Sequence, residues 1–152
     1  MQHESHTMSN RATARRPATQ RAAERSRARV LLIEDDDCSA EVMLYILRDR
    51  GYEVEAVGDG ERALDVARRF RPHLILSDID LPRRNGFELA AEIQRDPALS
   101  QTRLVAITGL PVTDCLDRAF RAGFERLLAK PLAPELLLRV IEELTGFPGR
   151  AG

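Results

Sequence analysis

The chain of 152 residues has few aromatic residues and few cysteines. It contains no Trp, two Tyr and five Phe, so its core must be aliphatic. The two cysteines, Cys38 and Cys115, are too few for a disulfide scaffold or a four-ligand zinc site, and free thiols in a reducing compartment are the simplest interpretation. No apolar run approaches the roughly 18 residues of a membrane-spanning helix. We therefore expect a cytoplasmic protein with no membrane contact.

Lysine is almost absent, and the charge is unevenly distributed. Of 23 basic residues, Lys130 is the single Lys and the others are Arg. Residues 1–29 carry seven Arg against two Glu, a net charge of +5, while the remainder carries 16 basic against 22 acidic residues. A basic arm joined to an acidic body must be interpreted in two parts.

The arm has almost no large aliphatic residue, so it cannot bury enough surface to offset the entropy lost on ordering. We expect a disordered basic arm over 1–28, one domain over 29–146 and a short tail over 147–152. Three other interpretations of the arm stay open. Its arginines could contact nucleic acid or another anionic surface, it resembles an organellar transit peptide, and Met8 could be an alternative start.

The body alternates between short apolar runs and amphipathic segments. The pattern predicts strands at 29–33, 52–57, 73–77, 104–107 and 126–129, and helices ending near Arg50 and over 61–70, 87–95, 113–122 and 135–144. Strict alternation predicts an α/β fold with a parallel sheet and helices on both faces. In such sheets the ligand crevice lies at the carboxyl ends of the strands.

Several polar residues follow the predicted strands directly. Glu34 and Asp35 follow the first strand, Asp78 and Asp80 the third, Thr108 the fourth and Lys130 the fifth. Clustered carboxylates repel one another unless a cation is present, and Mg²⁺ prefers oxygen ligands together with phosphate oxygens. A hydroxyl and an ammonium can bind the remaining phosphoryl oxygens. The pattern indicates phosphoryl transfer onto a carboxylate, with Asp78 as the nucleophile.

These residues resemble the receiver domain of two-component response regulators. The resemblance covers about 29–144 and rests on LLIEDD (31–36), LILSDIDLP (74–82) followed by Asn85-Gly86, VAITG (105–109) and AGFERLLAKPL (122–132). It implies a flavodoxin-like, doubly wound, five-stranded parallel sheet of order 2-1-3-4-5. It also implies a stoichiometric phosphoacceptor rather than an enzyme that turns over, one that assists its own phosphorylation and dephosphorylation.

The same resemblance implies a role for each site residue. Asp78 would accept the phosphoryl group from a histidine kinase or phosphotransfer protein. Glu34, Asp35, Asp78 and the backbone carbonyl of Asp80 would bind Mg²⁺. Thr108 and Lys130 would bind the phosphoryl group, and the Lys130-Pro131 peptide would be cis. Helix 4, strand 5 and helix 5 would form the surface that responds, through a protein partner or a homodimer.

The chain departs from the family in several places. The family usually has an aromatic residue three positions before the Lys, where this chain has Leu127, and it often has an apolar residue or Asn at the position of Asp80. No DNA-binding domain follows the receiver-like segment, which suggests a stand-alone receiver or one like those of hybrid kinases.

Other interpretations of single residues compete with these. Thr108 could be a helix N-cap, Asp36 and Asp37 suit the start of a helix, and His73 reads as structural.

Two other function classes remain: a passive receiver-like binding module without a switch, and a haloacid-dehalogenase-like phosphohydrolase using Asp78-Ile79-Asp80. The phosphohydrolase class places this pattern on its first strand and needs an inserted segment that covers the substrate, and the sequence shows neither feature.

Overall fold

The computed structural model describes Pro17 and residues 27–150, which form five strands alternating with five α-helices. The strands are β1 (Arg29–Ile33), β2 (Glu53–Val57), β3 (Leu74–Asp78), β4 (Arg103–Thr108) and β5 (Arg126–Ala129). The helices are α1 (Asp37–Asp49), α2 (Gly60–Phe70), α3 (Gly86–Arg95), α4 (Val112–Ala122) and α5 (Pro134–Thr145). Every predicted element is present, and its ends lie within about one residue of the prediction.

The strands form one parallel sheet in the order β2-β1-β3-β4-β5, which confirms the predicted fold. β3 is central, and all five of its residues are buried because helices cover both faces. One face packs against α2, α3 and α4, and the other against α1 and α5. Adjacent residues of one strand therefore enter different cores: Leu31 lies in the first and Leu32 in the second, both without exposed surface.

Local signals account for the ends of the helices. Asp36, Asp59 and Asn85 are N-caps whose side chains accept hydrogen bonds from backbone N–H groups in the first turn. Gly51 has a φ of +88° just beyond the C-cap of α1, a conformation that L residues rarely adopt. A single 3₁₀ turn, Pro97–Leu99, was not predicted; Asp96 caps it, and Leu99 anchors it in the core.

The residues that follow α5 return to the amino edge of the sheet. The Tyr52 hydroxyl donates a hydrogen bond of 2.9 Å to the carbonyl oxygen of Phe147. Ala28 is fully buried, and its carbonyl oxygen accepts from the backbone N–H of Glu53. Apart from Pro17, Arg27 and Ala28, the predicted arm over 1–28 lies outside the described residues. Among the helices that are described, none has the length and apolar character to cross a bilayer.

His73 is structural, as its sequence context suggested. Its Nδ1 accepts a hydrogen bond of 2.9 Å from the backbone N–H of Arg29, and its ring lies 5.0 Å from that of Phe147. Burial, reinforced by the charge of Arg29, lowers the pKa of His73. The folded protein therefore keeps the neutral imidazole at pH values where the unfolded chain protonates it.

This lowered pKa predicts a loss of stability in acid. As the pH falls below about 6.5, the unfolded state binds a proton that the folded state resists, so the free energy of unfolding decreases. Asn can accept the same hydrogen bond but does not titrate. His73→Asn should therefore lose less stability than the wild type between pH 7.5 and 5.5 in urea denaturation. An equal loss in both proteins would contradict this role for His73.

Candidate functional site

The site lies at the carboxyl edge of the sheet, around the end of the central strand. Asp78 ends β3 and pairs in register with Ile107, one residue before Thr108. Thr108 pairs in turn with Ala129, one residue before Lys130. On the other side of β3, Ile33 pairs with Ser77, so Glu34 follows β1 at the same level. The parallel register therefore brings residues from four strands to one edge.

Lys130 connects two carboxylates that are distant in sequence. Its Nζ lies 2.8 Å from Asp78 Oδ2 and 3.3 Å from Glu34 Oε2. Glu34 and Asp78 are 2% and 5% exposed, whereas the Lys130 side chain keeps a third of its surface in solvent. Lys130 thus places one positive charge against two buried carboxylates.

The charges of the site shift two of its pKa values. Burial, followed by the nearby charge of Asp78, raises the pKa of Glu34, although the backbone N–H of Asp36 and the Lys130 ammonium act in the opposite direction. Burial acts on Lys130 to lower its pKa, but hydrogen bonds and attraction to Asp78 and Glu34 together outweigh it, and the net pKa is raised. Lys130 therefore stays positively charged. Its charge does not fully compensate the cost of burying the charged form of Glu34, since the pKa of Glu34 remains raised.

The acidic cluster, defined as Glu34, Asp35 and Asp78, fits a divalent cation. One carboxylate oxygen from each of the three lies within 4.8 Å of the other two. Ligand oxygens of an octahedral Mg²⁺ are separated by about 2.9 to 4.2 Å, so small side-chain adjustments suffice. Asp35 is exposed, which leaves room for the water molecules that Mg²⁺ retains.

Asp36 and Asp37 belong to the helix rather than to the acidic cluster. Asp36 is the N-cap of α1, and its carboxylate accepts from both the hydroxyl and the backbone N–H of Ser39. These two hydrogen bonds lower the pKa of Asp36. Asp37 lies in the first turn, where a negative charge stabilises the helix dipole. The assignment of both residues to the start of the helix is confirmed.

Thr108 does not cap a helix. It is fully buried, its Oγ1 accepts a 3.0 Å hydrogen bond from the backbone N–H of Leu110, and α4 begins only at Val112. The N-cap interpretation is therefore wrong. An accepting hydroxyl keeps its own proton for donation to another group.

The remaining site residues lie around these. Asp80 is exposed, and its backbone N–H donates a 3.0 Å hydrogen bond to Asp78 Oδ1. Leu127 is half-buried against the core formed with α2, α3 and α4. The Lys130-Pro131 peptide is cis, as the resemblance implied.

Sequence reasoning missed two contacts to the Asp78 backbone. The Ser77 hydroxyl donates a 3.0 Å hydrogen bond to the carbonyl oxygen of Asp78. Gly86, the first residue of α3, lies so close to this segment that a Cβ at Gly86 would be 2.8 Å from both the Asp78 carbonyl oxygen and Ile79 Cα. The Asn85-Gly86 pair was part of the sequence resemblance, but nothing local in the sequence indicates which backbone it approaches.

The buried charge of Glu34 predicts that Glu34→Gln is stabilising without metal. The raised pKa of Glu34 means that its charged form opposes folding, and Gln removes that charge while keeping the shape. We expect a gain within the range of about 0.5–2 kcal/mol that stabilising substitutions give. Urea denaturation with and without Mg²⁺ measures it, and added Mg²⁺ should stabilise the wild type more than the variant. A less stable metal-free variant would contradict the prediction.

Comparisons with known proteins agree with this fold. Residues 30–142 match the response regulator receiver domain family. Because the match covers most of the chain, the protein belongs to this family, a class of signalling phosphoacceptors of two-component systems.

Two curated relatives illustrate the range of the family. The DNA-binding response regulator MtrA of Mycolicibacterium smegmatis is 33% identical over 117 residues, which are 75% of this chain and 49% of that protein. The chain thus spans about half the length of the MtrA relatives that it matches. The polar-differentiation response regulator DivK of Brucella anthropi is 29% identical over 117 residues, covering 77% of this chain and 95% of DivK.

Solved structures show the same architecture. The chemotaxis response regulator CheY4 of Vibrio cholerae is 29% identical, with a TM-score of 0.73 over 78% of this chain and 98% of CheY4. The receiver domain of the sensor histidine kinase PA1611 from Pseudomonas aeruginosa is 30% identical, with the same TM-score over 79% of this chain and 98% of that domain. That structure holds a magnesium ion in its active site cleft.

The phosphohydrolase interpretation does not fit this topology. Asp78-Ile79-Asp80 lies at the end of the third strand along the chain, and that class carries its paired aspartates on the first strand. The family match also assigns the chain to a signalling class instead.

Proposed function

We propose that this chain is a phosphoacceptor of a two-component phosphorelay and that Asp78 receives the phosphoryl group. The observation that carries the proposal is the contact of Asp78 with Lys130 at 2.8 Å, beside two further carboxylates within 4.8 Å. A buried carboxylate that contacts an ammonium and lies beside two further carboxylates able to hold a divalent cation suits nucleophilic attack on a phosphoryl group whose charge is neutralised from both sides.

The transfer forms one bond and breaks one. An Asp78 oxygen attacks the phosphorus atom of a phosphohistidine, the bond from phosphorus to the imidazole nitrogen breaks, and that nitrogen retains the electron pair and is then protonated. The product on this chain is an acyl phosphate. Mg²⁺, when bound by Glu34, Asp35, Asp78 and the carbonyl oxygen of Asp80, supplies positive charge to the phosphoryl oxygens.

Lys130 and Thr108 bind the phosphoryl group from the other side. In the unphosphorylated site Lys130 is already within hydrogen-bond distance of Asp78, so the ammonium needs only a short shift to reach a phosphoryl oxygen. The Thr108 hydroxyl accepts from Leu110 and can donate its own hydrogen to a second phosphoryl oxygen. A compact ammonium fits this confined position better than a planar guanidinium, which explains a Lys in a chain that otherwise uses Arg.

The response begins at the hydrogen bond between Thr108 and Leu110. When the hydroxyl turns toward the phosphoryl group, the backbone of Leu110 follows it, and Leu110 leads directly into α4. The altered surface is formed by α4, β5 and α5. Leu116 and Phe120 of α4, and Leu110 just before it, are exposed and can contact a protein partner. The donor is a histidine kinase or a phosphotransfer protein.

A passive binding module is the second candidate, and Leu127 is the observation that favours it. Leu127 is half-buried in the position where the family usually has an aromatic residue. Amide exchange in α4 with and without beryllofluoride and Mg²⁺ separates the two functions. Slower or faster exchange on addition supports the switch, and unchanged exchange supports the passive module.

Labelling with a small acyl phosphate donor tests the proposal. We expect one phosphoryl group per chain, counted by intact mass spectrometry, which requires Mg²⁺ and is removed by hydroxylamine. Transfer from candidate histidine kinases would then identify the donor. The absence of labelling from every donor would contradict the proposal, and so would continuous release of phosphate from a phosphomonoester.

A further inference from the structure

The loop that follows Asp78 is closed at its base by hydrogen bonds. We call residues 79–86 the acceptor loop. The carbonyl oxygen of Ile79 accepts a backbone hydrogen bond of 3.1 Å from Gly86, at the other end of the loop. The backbone N–H of Asp80 donates to Asp78 Oδ1. The carbonyl group of Asp80, a ligand of the proposed Mg²⁺ site, therefore belongs to a short closed loop, and the shape of that loop sets its position.

One residue of the acceptor loop has a strained backbone. Arg83 has a φ of +67°, in the left-handed region that L residues rarely adopt. The other described non-glycine residue with a positive φ, Arg71, follows the last turn of α2, where helices commonly end in this conformation. Arg83 ends no helix, so local chain geometry does not account for it. Such conformations persist only where the surrounding contacts hold them.

Arg84, the next residue, makes the contacts that hold the loop. Its guanidinium forms an ion pair with Glu92 of α3, and its side chain is only 19% exposed. Its Cβ and Cδ lie over the start of α2, 3.2 and 3.6 Å from where a Cβ at Gly60 would be. Arg84 therefore ties the acceptor loop to two helices that cover the same face of the sheet. Because most of the side chain is shielded from solvent, salt screens this ion pair less than one between exposed side chains.

We propose that Arg84 is a positioning residue for Mg²⁺: its ion pair with Glu92 holds the acceptor loop in the conformation that presents the carbonyl oxygen of Asp80 to the metal. The inference rests on the proposed function, because it takes that oxygen as a metal ligand. When the ion pair is absent, the loop can relax at Arg83, and fewer molecules are ready to bind. The apparent affinity for Mg²⁺ then falls by the same factor as the population of the competent conformation.

Charge alone predicts the opposite effect at Arg84. A positive charge near a cation site repels the cation, so the removal of Arg84 would strengthen Mg²⁺ binding if only electrostatics acted. In the positioning role the removal weakens binding, because the acceptor loop loses the contact that holds it. The sign of the change in Mg²⁺ affinity therefore separates the two explanations.

Titration of the unphosphorylated full chain with Mg²⁺, followed by NMR shifts of the backbone amides, measures the dissociation constant without phosphoryl transfer. Arg84→Met removes the charge but keeps a long side chain over Gly60, and we expect its dissociation constant to be about tenfold higher than that of the wild type. The exchanged pair, Arg84→Glu with Glu92→Arg, should recover most of the affinity. The control Arg62→Gln, at an exposed position of α2, should change the constant by at most about twofold.

Two further substitutions test the ion pair and the strain separately. Glu92→Gln should weaken Mg²⁺ binding more than Glu88→Gln, which removes the same charge from an exposed position of α3. Arg83→Asn places a residue that tolerates a positive φ in the acceptor loop, so the loop depends less on the ion pair. Arg84→Met should therefore raise the dissociation constant only about threefold in the Arg83→Asn background.

Labelling of Asp78 by acetyl phosphate keeps the inference separate from the proposed function. Arg84→Met should be labelled slowly at low Mg²⁺ and at the wild-type rate at saturating Mg²⁺, because only the affinity for the metal has changed. Circular dichroism verifies that the variants fold. If Arg84→Met does not fold, the comparison of Glu92→Gln with Glu88→Gln decides.

Unchanged or stronger Mg²⁺ binding by Arg84→Met would overturn the inference, and so would equal weakening by Arg62→Gln or no recovery in the exchanged pair. Equal effects of Glu92→Gln and Glu88→Gln would overturn it as well. In each of these cases, labelling of the wild type leaves the proposed function standing. A wild type that neither binds Mg²⁺ nor is labelled would refute both.

Discussion

Asp78→Asn should abolish phosphorylation of the chain completely. The amide has the size of the carboxylate but lacks the nucleophilic oxygen, so no acyl phosphate can form. The substitution also removes the charge that Lys130 approaches at 2.8 Å. Incubation with acetyl phosphate and Mg²⁺, followed by intact mass spectrometry, should show one phosphoryl group on the wild type and none on the variant.

Asp80→Asn is the matched control for this experiment. Asp80 is two residues away and exposed, and it contacts Asp78 through its backbone N–H, which the substitution leaves unchanged. The control should therefore still be labelled, even if the lifetime of the acyl phosphate changes. Labelling of Asp78→Asn at the wild-type level would disprove the assignment of the acceptor, because another side chain would then carry the phosphoryl group.

Gly86→Ala should strongly disturb both stability and function. The new Cβ would lie 2.8–2.9 Å from three backbone atoms of Asp78 and Ile79, none of which can rotate away. The start of α3 or the end of β3 must then move, at a cost of about 1–3 kcal/mol in the free energy of unfolding. Because displacement of about 1 Å at a reacting group can slow a reaction about a hundredfold, labelling of Asp78 should be much slower.

Gly109→Ala provides the comparison for Gly86→Ala. Gly109 follows Thr108 at the same edge of the sheet, but a Cβ there would have no neighbour within 4 Å. Its φ is not in the left-handed region, so Ala should fit without strain. Because Ala leaves the unfolded chain fewer conformations than Gly does, the substitution should raise the free energy of unfolding by up to about 1 kcal/mol. Urea denaturation of both variants measures the difference, and equal stabilities would contradict the proposed close approach at Gly86.

The secondary structure could be predicted because its signals are local. The apolar runs of the strands, the amphipathic spacing of the helices, the N-cap Asp36 and the turn at Gly51 after the C-cap all depend on residues a few positions apart. Boundaries differed by about one residue, since the hydrogen bonds at element ends also depend on neighbours. The turn at Pro97–Leu99 was missed because Leu99 is anchored by the distant core rather than by a local pattern.

The site was predictable in outline for a different reason. Parallel strands present their carboxyl ends at one edge, so the residues directly after them meet whatever their separation along the chain. This rule, with the resemblance to receiver domains, placed Glu34, Asp35, Asp78, Thr108 and Lys130 at that edge. It did not reveal the hydrogen bond from Leu110 to Thr108, which excluded the helix cap.

The sequence by itself determined the alternation of strands and helices, the family, and the set of polar residues at the carboxyl edge, since each depends on local periodicity or strand direction. The tertiary structure alone decided that Lys130 contacts Asp78 more closely than Glu34, that Gly86 abuts the Asp78 backbone, and that Arg84 pairs with Glu92 over the start of α2. These contacts join segments up to 96 positions apart, and their distances follow from how helices pack on the sheet, which no local pattern encodes.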